Sequence, residues 1–204
     1  MDGHVPGGGI EMALIKPDAS DQIRRALAAG VSDFMDPDDP LANDLRRTQL
    51  GLHIFTLGLR DIVNTAGIQA AKPAGWRFLA GHLSGEVVAA DVTEPIPGAA
   101  QNATPKMTSL SRDPLIARAI RAIHEVETLP EVQEKHYELQ VLRIPGLLIE
   151  AFWLKSRDTG ADLVVPVLTR SRELQVMRAY PIAEFLNIVR PMTTKFLEFD
   201  ENTE

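Results

Sequence analysis

"IPGLLIEAFWLKSRDTGADLVVPVL", residues 144–168, decides the fold. Two apolar runs, 147–155 and 161–169, flank the polar stretch Ser156-Arg157-Asp158-Thr159-Gly160. That stretch has hairpin-turn chemistry, with Gly160 placed for a positive φ. In the first run, one alternating set is Leu148, Glu150, Phe152 and Leu154. The other is Leu147, Ile149, Ala151 and Trp153. A strand apolar on both sides is central and at least partly covered on both faces. Pro166 favours an edge or a bulge in the return strand.

Glu150 is the residue that does not fit. A buried, unpaired carboxylate costs several kcal/mol or takes up a proton. Three placements resolve this. Glu150 reaches water through a gap in the cover, or pairs with an arginine such as Arg143 or Arg178, or lines a pocket as an acid of raised pKa. Replacing it by Gln separates them. A gain in stability marks a buried unpaired carboxylate, and no change marks exposure.

Working outward, Tyr137, Leu139 and Val141 alternate with Leu142 and Ile144, so a strand precedes the hairpin. Residues 174–180 are expected to add a further strand, with a helix as the alternative. Residues 76–80 and 87–92 read as an N-terminal hairpin turning at His82-Leu83-Ser84-Gly85. A short strand is expected within 10–17. Helices are expected at 18–30, capped by Asp18 or Ser20 and left through Gly30, and from Asp113-Pro114 to before Pro130. Another is expected at 181–189, stopped by Arg190-Pro191. Residues 41–64 carry the most regular helical spacing, through Leu45, Leu52, Phe55, Leu59 and Ile62. Asp39 would cap that helix and Pro40 would open it. Gly51 and Gly58 share its face and would admit a close neighbour. Residues 93–111, rich in Pro, Gly, Ala, Asn, Thr and Ser, read as a linker or a functional loop. Residues 1–9 and 200–204 are expected to be mobile. The order gives one α+β domain over 1–204. Its antiparallel sheet comprises an N-terminal hairpin and a C-terminal meander, with helices packed mainly on one face.

The chain has 204 residues, 45% of them hydrophobic and 24% charged, enough for a sizeable core. It has no cysteine, which excludes disulfides, thiolate nucleophiles and Cys-ligated metals. A net charge of −7 argues against a general nucleic-acid binder and against attachment to an anionic membrane. Arg112, Arg118, Arg121 and Lys106 are too few, and lack nearby aromatic residues, to change that reading. No apolar run approaches the ~20 residues that span a bilayer. The start, "MDGHVPGGGIEM", lacks a basic-then-apolar leader. A soluble, cytoplasmic protein is expected, and the preference for Arg over Lys fits a bacterial source.

Motifs of known chemistry are incomplete. "VPGGGIEM" has no Gly-Lys-Ser/Thr, and Ser84 stands fourth rather than third in "GHLSG". His124 and His136 fall among five glutamates in residues 124–138. However, there is no His-Glu-x-x-His, and Pro130 interrupts any shared helix, so no metal is assigned. The better account is a solvated helix end with an Arg121–Glu125 pair. "DFMDPDD" lacks calcium-loop spacing and reads as a capping loop. His53 reads as a core or interface residue with one bonded nitrogen.

Two functional expectations follow. The first is a noncatalytic binding or assembly module that acts through an apolar sheet or helix surface, self-associating or docking a protein partner, with no cofactor. The second is a small-ligand binder or acid–base enzyme built from Glu150, His82, His124 and His136, with the 94–111 loop as a lid. A concave pocket holding at least two of those side chains favours the second, and their dispersal disfavours it.

Overall fold

The computed structural model describes residues 14–64, 67–81, 85–95, 104–133, 135–158 and 160–201. The turn at His82 to Ser84 and residues 1–9, 96–103 and 202–204 lie outside them, so those expectations are not addressed. Among the described residues the chain forms an α+β structure around one nine-stranded mixed sheet. The strands are β1 (Leu14–Ile15), β2 (Gly51–Thr56), β3 (Lys72–Gly81), β4 (Val87–Thr93), β5 (Lys106–Ser111), β6 (Tyr137–Ile144), β7 (Ile149–Ser156), β8 (Leu163–Leu168) and β9 (Tyr180–Pro181). The helices are α1 (Asp21–Phe34), α2 (Pro40–Arg47), α3 (Leu59–Val63), α4 (Pro114–Glu127), α5 (Pro130–Gln133) and α6 (Ile182–Glu201).

The sheet order is β5-β4-β3-β2-β6-β7-β8-β9, with β1 added beside β6. β2 and β6 lie parallel at the centre, His53 beside Gln140 and Ile54 beside Val141. From that seam two antiparallel meanders run outward, one through β3, β4 and β5 and one through β7, β8 and β9. The expected hairpin is β3 with β4, and the expected C-terminal meander is β6 to β8. The parallel seam joins the two.

Strand alternation sorts the core into three clusters. Leu52, Ile54, Leu79, Ala89, Val141, Phe152 and Val165 share one sheet face, where α4 and α5 cover them with Ile116, Ile120, Ile123, Val126 and Val132. On the other face, α1 and α2 cover Trp76, Phe78, Val88, Ala90, Val92 and Met107. Beside them α3 and α6 cover Leu142, Ile149, Ala151, Trp153 and Val164. Helices therefore lie on both faces, rather than mainly on one. β7 supplies Phe152 to one cluster and Trp153 to another, so its two apolar sides are both used, as its sequence requires.

Several element boundaries differ from expectation. Residues 41–64 are not one helix. α2 ends at Arg47, β2 follows, and α3 starts at Leu59. Leu52 and Phe55 fall at a helical interval, but Leu52 and Ile54 also keep a strand's period of two, and the seam with β6 selects the strand. Gly51 and Gly58 mark the breaks, one opening β2 and the other capping α3. α1 starts after Ser20, whose hydroxyl accepts from the Ile23 amide, and it continues past Gly30 to Phe34. The 93–111 segment includes β5, which pairs with β4 and lodges the buried Met107. Of residues 174–180, only Tyr180 joins a strand. α6 passes through Pro191 because buried Phe185, Val189 and Thr193 continue its packed face on both sides of the proline. That packing offsets the ~3 kcal/mol a proline costs inside a helix.

Candidate functional site

The site is built on the sheet face that α4 and α5 cover. Arg77 on β3 stands directly across from Asp91 on β4. Arg143 on β6 stands directly across from Glu150 on β7. Each pair is an ordinary cross-strand match of opposite charges. The two pairs then interlock across the β2–β6 seam. Arg77 Nε and Nη2 donate to Asp91 Oδ1 and Oδ2 at 2.8 and 3.1 Å, while its Nη1 donates to Glu150 Oε1 at 2.6 Å. Arg143 Nε donates to Glu150 Oε2 at 3.0 Å, and its Nη2 to Asp91 Oδ2 at 2.8 Å. The result is a closed ring of two arginines and two carboxylates, with all four carboxylate oxygens accepting.

This answers the question Glu150 raised. It is paired with Arg143 and also with Arg77, and it lines a cavity. Arg178 instead pairs with Glu184 at 2.8 Å. The four ring side chains are only 15–27% exposed. Burial alone would push the Asp91 carboxyl up. The hydrogen bonds and charge of Arg77, then those of Arg143, outweigh it and hold the group below the usual aspartate value. Burial would likewise lower the Arg77 guanidinium. Asp91 and Glu150 outweigh that and keep it above its ordinary value. Both groups are therefore fixed in their charged forms.

Two backbone irregularities aim the acids. The β4–β5 register slips between Asp91 and Val92, and the β7–β8 register slips between Glu150 and Ala151. Such bulges bend a strand and redirect a side chain, and they are common beside functional sites. The expected Pro166 irregularity is this second slip, because Ala151 pairs with Pro166 while Glu150 pairs with Leu168.

Arg77, Asp91 and Glu150 form the floor of a cavity of about 460 Å³. One wall is α4, through Ile116, Arg118, Ala119, Arg121, Ala122 and Glu125. The opposite side is apolar, made by Val167 and Leu168 of β8 and by Val176 and Met177 beyond it. Ser109 and Ser111 close the β5 end. Met177 holds a positive φ of 65°, rare for a residue with a side chain, while its amide donates to the Pro166 carbonyl at 2.9 Å. The volume falls in the range of small-molecule sites, and an apolar lining with a few fixed polar groups is their usual make-up.

No family model, no curated protein and no solved structure matches this chain. The site therefore rests on its own geometry.

Of the four expected site residues, the cavity takes Glu150. His124 projects from α4, its Nδ1 bonded to the Ile120 carbonyl at 2.9 Å, and does not line the cavity. His136 lies before β6 with Asp158, its Nδ1 3.5 Å from Oδ2. His82 lies outside the described residues. Among the described residues no group of three or more His, Asp or Glu is placed to hold a metal. The Arg121–Glu125 pair is not among the ion pairs of the described residues, and both side chains line the cavity instead. Arg112 is bound to Asp39, whose other oxygen caps α2 through the Leu41 amide at 2.9 Å. The capping role expected of that acidic loop is thus filled.

Sequence reasoning missed Arg77, Asp91, Arg118 and Arg121 as site members. For Arg77 and Asp91 the available signal was the single charge in each of the runs "WRFLA" and "VAADV", the same pattern that singled out Glu150. A second feature lies on the opposite face. His53 sits on β2, not in a helix, with Nε2 2.9 Å from Glu94 Oε2 and its ring stacked on Trp76 at 4.7 Å. One bonded nitrogen is what its sequence setting suggested.

Proposed function

We propose that this chain is a noncatalytic binding protein that takes a small organic ligand in the trough between α4 and the sheet. The observation that carries this reading is the ring-floored cavity. Its charged floor is satisfied before any ligand arrives, and its walls are largely apolar. A carboxylate whose oxygens all accept from arginine is a poor proton acceptor, so the floor suits recognition better than acid–base chemistry. Assembly through an apolar sheet face has less to act with, since both faces are covered by the chain's own helices. A prebuilt ion ring also lowers the cost of binding, because its four long side chains are already ordered.

The test fills the trough. Ala119 lines it from α4 and is only partly buried, so Ala119→Trp occupies the space without breaking the core. A library of small amphipathic compounds is screened by thermal shift against the wild type and this variant. The reading expects compounds that raise the wild-type melting temperature and lose that effect in Ala119→Trp. Binding that survives in a folded Ala119→Trp protein, or a wild type that no compound stabilises, overturns it.

A further inference from the structure

We infer that the ligand of this trough is an amphipathic organic anion, its acid group held by Arg118 and Arg121 and its apolar body laid against Leu168, Val176 and Met177. The inference rests on the trough being a binding site and adds the chemical class.

The pairing of the charged groups around the cavity leads to it. Asp91 and Glu150 are neutralised within the ring by Arg77 and Arg143. The charged side chains on the α4 side are Asp113, which has a partner of its own, and Arg118, Arg121 and Glu125. Neither arginine appears in an ion pair among the described residues, although the other trough arginine, Arg77, is doubly paired. Glu125 and Asp113 balance the formal charge of the wall, while the two guanidinium groups stay adjacent and outside any ion pair among the described residues. Arg118 and Arg121 are three residues apart, hence on adjoining positions of one helical face, and so can present two guanidinium forks to one acid group.

The apolar half has its own signal. Leu168 is 48% exposed and Val176 45% exposed, and both line the cavity. Large apolar side chains left open at a cavity wall gain by covering, at roughly 25 cal/mol per Å² of buried apolar surface. Met177 beside them adapts its unbranched side chain to irregular apolar shapes. The strained Met177 backbone and the Pro166 bond beneath it hold this wall in place. Cationic and apolar elements thus line one trough, which suits a molecule with an acid head and an apolar tail.

The experiment uses three probes of equal chain length, octanoate, octylammonium and octanol, measured by calorimetric titration of the full chain. The wild type is expected to bind octanoate at least ten-fold more tightly than octylammonium. The double variant Arg118→Gln/Arg121→Gln is expected to lose at least ten-fold for octanoate and little for octanol. Leu168→Asn/Val176→Asn is expected to weaken octanoate and octanol alike. If octylammonium binds as well as octanoate, or the arginine variant leaves octanoate unchanged while circular dichroism shows it folded, the anion assignment fails and the trough remains a site. If none of the three probes binds the wild type, the inference is overturned. Octanoate binding that survives in Ala119→Trp places the anion elsewhere and overturns it too.

Discussion

At the scale of single residues, the decisive fact is that an acid in an apolar strand found two arginines. Its carboxylate is paired with Arg143 opposite and with Arg77 across the seam. Asp91 makes the same bargain in mirror form. The pH consequence has a definite sign. Asp91 is held below its ordinary value in the folded chain, so the unfolded chain binds a proton first as pH falls. The stabilisation is therefore complete above about pH 4, the unfolded aspartate range, and is lost as the pH falls below it through the folded value. Urea unfolding between pH 2 and 7 should show wild-type stability dropping below pH 4 more steeply than that of Asp91→Asn. Parallel pH profiles would mean that Asp91 is not held by the arginines. The sequence made the Glu150–Arg143 pairing one of three open choices. Arg77 was out of reach, because the parallel seam that brings it near joins residues some ninety positions apart, His53 and Gln140.

At the scale of elements, packing overrode local pattern in a few places, each with a physical cause. α1 lies so close to β5 that a Cβ at Gly30 would stand 2.3 Å from the Met107 Cβ. In an open helix Gly→Ala gains roughly 1 kcal/mol. Here Gly30→Ala should instead destabilise the chain by about 1–3 kcal/mol, the usual cost of overpacking, seen as a lowered urea midpoint. A rise in the midpoint would show that α1 is not seated on β5. Gly30 looked like a helix exit because glycine most often is one, and its use for close approach is visible only once β5 is placed. The same holds for residues 41–64. Leu45, Leu52, Phe55, Leu59 and Ile62 fall at helical intervals across three separate elements, and no proline separates them. The hairpins, by contrast, were legible, because alternation and turn chemistry are local properties of β3–β4 and β6–β8. The site was legible only at Glu150. Arg118 and Arg121 stood out only as charges too few for a nucleic-acid site, because what they face depends on where α4 lies across the sheet.

At the scale of the whole molecule, two meanders share one sheet, and the ring is the polar tie between them on the face that α4 covers. Two of its links stay within a meander, Arg77–Asp91 and Arg143–Glu150. The other two, Arg77–Glu150 and Arg143–Asp91, cross the seam. The ring thus joins the halves, and three of its members, Arg77, Asp91 and Glu150, floor the trough, so the site is ordered by the fold itself. The most direct measurement of that claim is a double-mutant cycle between Arg77→Met and Glu150→Gln, read by urea unfolding. Each single change leaves a half-buried charge short of a partner and should destabilise by about 2–4 kcal/mol, toward the range for broken buried pairs. The two changes together should cost less than their sum, with a coupling of roughly 1–3 kcal/mol. A coupling near zero, or a Glu150→Gln protein more stable than the wild type, would contradict the ring and the site built on it.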